Sequence, residues 1–197
     1  MLLNFTTTYF MKKCTLTILC SGILFFTQAQ FYKSVLPSPQ FNDSLTKVVI
    51  DFRNNFKKIQ GKELTPQVGM EVYQSKVSLP GASHCTIYRF HSKLDTTASW
   101  QAIMYDGNDY DEAVKAYKNT CRLVNKSRIK WIDRSIASFT GNMEKNDDNV
   151  SFANTLLQLD VSDPRYKNFY AEIEIASGSS GWEVHLNLHA KKNDMEE

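Results

Sequence analysis

The strongest constraint on this fold lies in the last third of the chain, where small or apolar residues take every second position in three successive runs. Ala153, Thr155, Leu157, Leu159 and Val161 share one side of the first run. Phe169, Ala171, Ile173 and Ile175 alternate with Tyr170, Glu172 and Glu174 in the second. Val184, Leu186, Leu188 and Ala190 alternate with Glu183, His185, Asn187 and His189 in the third. A period of two marks strands with one face on a core and the other in water. Asp163-Pro164 and the stretch from Ser177 to Gly181 interrupt the runs with turn chemistry. Connections that short join antiparallel strands.

Upstream the period changes to that of a helix. Leu45, Val48, Val49, Phe52, Phe56 and Ile59 recur at spacings of three and four and make one apolar stripe. Asp43 or Ser44 is expected to cap its start and Gly61 its end, with Lys57 and Lys58 opposing the helix dipole in the last turn. A second helix follows the turn Asp106-Gly107-Asn108. Asp109 and Glu112 stand in capping-box register, and Tyr110, Val114, Tyr117, Cys121 and Val124 form the stripe. Met70–Val77, His84–His91 and Ala98–Tyr105 read as strands between the helices, the last with Trp100, Ala102 and Met104 on one face. Ile129–Thr140 reads as one bent or interrupted strand.

The expected fold is therefore α+β: two amphipathic helices packed on one face of a mainly antiparallel sheet, in the order α-βββ-α-ββββ. Residues 42–190 form the domain, preceded by an extended lead-in over 30–41 and followed by a frayed tail over 191–197. The layout resembles the two-helix, curved-sheet arrangement of secretion-chaperone-like folds, a likeness that does not fix function. A faint echo links Phe52-Arg53-Asn54-Asn55 with Tyr117-Lys118-Asn119-Thr120 and raises the idea of a duplicated unit.

Residues 1–29 read as a secretory signal: Met11-Lys12-Lys13, the uncharged run Cys14–Phe26, then Thr27 and Ala29 at the cleavage site. The run is shorter than the ~20 residues of a membrane-spanning helix. A membrane anchor or a lipoprotein attached at Cys20 are the competing readings, and Met11 is a second candidate start. The ending Thr27-Gln28-Ala29-Gln30-Phe31 resembles signal peptides of Bacteroidota envelope proteins. The expected location is the periplasm or outside the cell, with no membrane span after cleavage. Removing 1–29 takes two lysines and no acid, so the 23 basic residues fall to 21, equal to the 21 acidic ones. A neutral chain lacks the one-signed field that nucleic-acid binding needs.

Four cysteines become two, Cys85 and Cys121. In an oxidising compartment an even pair reads as a disulfide, with two buried free thiols as the other reading. His185 and His189 are four apart on a strand, about 13 Å, too far to share one ion. No metal site and no cofactor are expected. Matching polar faces across the last hairpin sets Glu174 opposite His185, Glu172 opposite Asn187 and Tyr170 opposite His189. Glu174 and His185 then form either an acid–base pair or a solvated ion pair. Trp182, just after Gly181, is either an exposed anchor or a ring folded over the hairpin end. Nucleophile, phosphate-loop and zinc-helix motifs are missing from the chain. The expected function is non-enzymatic binding of a partner protein or an apolar small ligand, through weak candidates Trp182, Glu174, His185 and His189. The alternative is an envelope hydrolase with dispersed catalytic residues.

Overall fold

Both periodicities become elements, but several ends shift. The computed structural model describes residues 36–64, 69–90, 97–144, 152–178 and 181–190. In chain order these are α1 (Pro39–Asp51), a 3-10 turn (Phe52–Asn54), β1 (Gln60–Glu63), β2 (Met70–Ser75), β3 (His84–Phe90), β4 (Ser99–Gly107) and α2 (Tyr110–Asn125). There follow β5 (Ile129–Lys130), β6 (Ile136–Thr140), β7 (Ala153–Asp160), a 3-10 turn (Pro164–Tyr166), β8 (Phe169–Gly178) and β9 (Gly181–Ala190). The expected signal peptide, the tail 191–197 and His91 lie outside the described residues.

The α+β class holds, with a single antiparallel sheet in the order β1-β2-β3-β4-β9-β8-β7-β6-β5. Each half gains one strand over expectation, giving α-ββββ-α-βββββ. The segment 129–140 is a hairpin, with Ile129 opposite Ala137 and Arg134 at φ 71 in its turn. β1 occupies residues assigned to a helix end. The two meanders meet where β4 pairs with β9, so the last strand of each half lies at the sheet centre. The sequence echo does not mark this arrangement. Phe52–Asn55 forms the turn after α1, whereas Tyr117–Thr120 lies inside α2.

α1 starts earlier than expected. Ser38 is its N-cap, its Oγ accepting from Phe41 N at 3.1 Å, and Pro39 takes the first helical position. Proline there sacrifices no hydrogen bond and presets φ. Asp43 and Ser44 thus fall inside the helix. The exit is set by Asp51, which is buried. Its carboxylate accepts from Asn54 Nδ2 (2.8 Å), Lys58 N (3.0 Å) and Ile59 N (3.1 Å). Asn55 and Phe56 turn the chain in the left-handed region at φ 53 and 58. Such a backbone is costly for a bulky residue, and full burial of the Phe56 ring opposes that cost. Gly61 is therefore no helix cap. It lies in β1, where a Cβ would stand 2.7 Å from the Gln74 carbonyl oxygen.

α2 begins as the sequence indicates, with Asp109 Oδ1 accepting from Glu112 N at 3.0 Å. Its Ala113, Tyr117, Thr120, Cys121 and Val124 are buried. α1 also guards a sheet edge. Asn42 Oδ1 accepts from Arg128 N and Thr46 Oγ1 from Lys130 N, so side chains one helical turn apart occupy amides beside the edge strand β5. The core beneath is aromatic. Phe52, Tyr166 and Phe169 have ring centroids 4.5–5.3 Å apart, and Tyr166 Oη donates to Val49 O at the end of α1.

Candidate functional site

Each strand that buries one face presents the other, and the pairing registers turn those outward residues into rows across the sheet. One row runs Gln74, Thr86, Gln101, Asn187, Glu172 and Leu156 from β2 to β7. The next runs His84, Ile103, His185, Glu174 and Asn154 from β3 to β7. Opposite sit the fully buried Phe169, Ala171, Ile173, Ile175, Val184, Leu186 and Leu188. The expected pairs Glu174–His185, Glu172–Asn187 and Tyr170–His189 are the pairs observed.

The outward residues form a hydrogen-bonded array. Tyr88 Oη donates to Gln101 Oε1 (3.0 Å), Gln101 Nε2 to Asn187 Oδ1 (2.8 Å), and Asn187 Nδ2 to Glu174 Oε1 (3.0 Å). The same carboxylate oxygen meets His185 Nδ1 at 3.0 Å, and His185 Nε2 meets Glu183 Oε2 at 2.6 Å. Both ring nitrogens thus face carboxylates, an arrangement that only the doubly protonated imidazolium satisfies. A second branch joins Asn154 Nδ2 to Glu172 Oε1 (2.7 Å) and His189 Nε2 to Glu172 Oε2 (2.9 Å). The side chains are partly sheltered, with exposures of 19% for His185 and 25% for Glu174. The hydrogen bond to Glu174 raises the His185 pKa above 6.5, against the opposing effect of burial. The reciprocal bond from His185 lowers the Glu174 carboxyl, with help from Asn187. Among the described residues, Thr86 Oγ1 and Asn154 Oδ1 are buried without a partner, and both lie in these rows.

Of the residues singled out in the sequence, Glu174, His185 and His189 come together here. Trp182 does not join them. Its ring packs on Tyr110 at the start of α2, centroids 4.7 Å apart, and its backbone pairs with Gly107. Gln101, Tyr88, Glu183 and Asn154 complete the array and were not anticipated as site residues. Outward alternation on their strands was a signal for them. The β4–β9 pairing that brings Gln101 to Asn187 is long-range and has no local signal.

The expected Cys85–Cys121 disulfide is corrected: both residues are buried free thiols. Cys121 lies within reach of Thr155 on β7, whereas Cys85 sits on β3 opposite Ala102. β3 and β7 are four strand spacings apart, roughly 19 Å along the sheet, and a disulfide needs Cα atoms within about 7 Å. Among the described residues, no group of His, Cys, Asp and Glu has the arrangement of a metal site, and no helix is long and apolar enough to cross a membrane. Compared with protein-family models, with curated proteins and with solved structures, the chain matches none.

Proposed function

We propose that this protein is an exported, non-catalytic binding domain that docks a partner protein on the outward rows of its sheet, in the periplasm or outside the cell. In this reading both helices cover the opposite, apolar face and leave the rows free. The observation that carries it is the array from Tyr88 to Glu183. Long polar side chains held in mutual hydrogen bonds have already lost the rotamer freedom that docking otherwise removes. Exposed Phe90, Phe152 and Leu156 lie at its margins and supply apolar contact. Glu172, Glu174 and Glu183 outnumber His185 and His189, so the matching surface is basic.

Size bears on strength. Six strands and the span from Glu183 to His189 give a footprint of roughly 24 by 20 Å. That is below the ~800 Å² per partner of a standard interface and points to a transient complex.

The alternative is a hydrolase using Glu174 and His185 as acid and base. The imidazole held between two carboxylates favours it. Against it, among the described residues no hydroxyl or thiol nucleophile contacts His185. The test is a photo-crosslinking side chain placed at Leu156, or at Lys118 on α2 as control, in native envelope fractions. A crosslinked partner from Leu156, reduced by Glu172→Gln with Glu183→Gln and missing from Lys118, is the expected result. Crosslinks arising equally from Lys118, or none from Leu156, overturn the proposal.

A further inference from the structure

A second surface has the opposite chemistry. The end of α1, the turn after it and the exit of β2 enclose an open cleft of about 360 Å³. That lies within the ~300–1,000 Å³ typical of small-molecule sites. Its apolar part is Ile50, Ile59 and Val77, and its charged part is Lys47 and Lys58. Asp51, also in the lining, is buried, its carboxylate occupied by three donors from the turn. Lys57 and Lys76 stand close by in the chain, and both are exposed. The cleft therefore offers apolar surface with cations on its bank.

We infer that this cleft binds the free carboxylate of a single-chain fatty acid, with the tail on Ile50, Ile59 and Val77 and the head between Lys47 and Lys58. Charge complementarity selects the anion. The apolar part selects a hydrocarbon tail over a bare inorganic ion. Exposed lysines keep their stems on apolar surface while the ammonium meets the head group in water. The site lies apart from the outward rows and is independent of the partner proposed there.

The test is calorimetric titration of the full chain with sodium dodecanoate below its micellar concentration, beside dodecyltrimethylammonium and inorganic phosphate. One dodecanoate per chain is expected, with no binding of the cationic surfactant or of phosphate. Lys47→Gln with Lys58→Gln should weaken dodecanoate at least tenfold with an unchanged melting temperature, because both side chains are exposed. Ile50→Asp should abolish binding while leaving the cations in place. Equal affinity for the cationic and anionic surfactants overturns the inference, as does undiminished binding in the Lys variant. Binding to vesicles of anionic phospholipid without binding to dissolved dodecanoate overturns it too, because the occupant is then a lipid head group. None of these results bears on crosslinking from Leu156, so the two proposals fail separately.

Discussion

His185 shows how two neighbours decide the charge of a third. A neutral imidazole has one N–H and could donate to only one of Glu174 and Glu183; the imidazolium donates to both. Folding therefore favours its protonated form, in line with the raised His185 pKa and the lowered Glu174 pKa. The His185 contribution to stability is complete below its unfolded value near 6.5 and is lost as pH rises through the higher folded value. The Glu174 contribution is present above its unfolded value near 4.5 and is lost as pH falls through the lower folded value. The pair thus supports the fold best between about 4.5 and 6.5. His185→Gln is expected to cost about 1 kcal/mol at pH 6 and less at pH 9, measured by denaturant unfolding. Imidazole proton shifts should titrate above 6.5 and move down in Glu174→Gln; a midpoint below 6.5 sinks the argument. This much of the site was legible in the sequence, because polar-to-polar matching fixed the hairpin register. Glu183 was not, since it reaches His185 along the same strand, two residues away, where neither cross-strand nor helical spacing suggests a contact.

At the scale of elements, the sequence located secondary structure better than it located the ends. α2 has its capping aspartate at the expected residue, because a capping box is a local signal. The end of α1 depends on a side chain acting at a distance: Asp51 binds amides seven and eight residues ahead. Period alone carried the stripe through Phe56 and Ile59, which are indeed buried but outside the helix. The same apolar residues serve a helix and a turn, and only the carboxylate separates the two. Asp51→Ala would leave the amides of Lys58 and Ile59 without their acceptor, at a cost of about 2 to 4 kcal/mol. Asp51→Asn keeps one acceptor oxygen and should lose less. Equal stability of wild type and Asp51→Ala in denaturant unfolding would show that water replaces the carboxylate. Because the cleft borders this turn, the loss should also loosen the site beside Lys58.

Across the whole molecule, opposite chemistries occupy different regions: glutamates and histidines on the outward rows, cations beside the α1 cleft. The near balance of 23 basic and 21 acidic residues hid this separation, since composition sums charge without placing it. The cysteines carry the same lesson. Their even number suggested a bridge, but Cys85 lies on β3 and Cys121 on α2 against Thr155 of β7, and β3 and β7 stand four strands apart in the sheet order. That order rests on the β4–β9 pairing between strands far apart in sequence, which no short-range pattern encodes. Burial pushes the Cys121 thiol up to about 11 and raises Cys85 as well. Only the thiolate attacks disulfide reagents, so both cysteines should be inert while folded. In a chain lacking residues 1–29 they are the only thiols. Ellman's reagent at pH 8 is expected to release no fast colour from the native protein and two equivalents after unfolding in guanidinium, with no reductant added. Mild oxidation of the folded chain should leave the intact mass unchanged. A native mass lighter by two hydrogens, with no thiol titrating on unfolding, would require β3 and α2 to approach each other. That approach would contradict the placement of Cys121 against Thr155 on β7, so this one titration tests how α2 packs on the sheet as well as the cysteines.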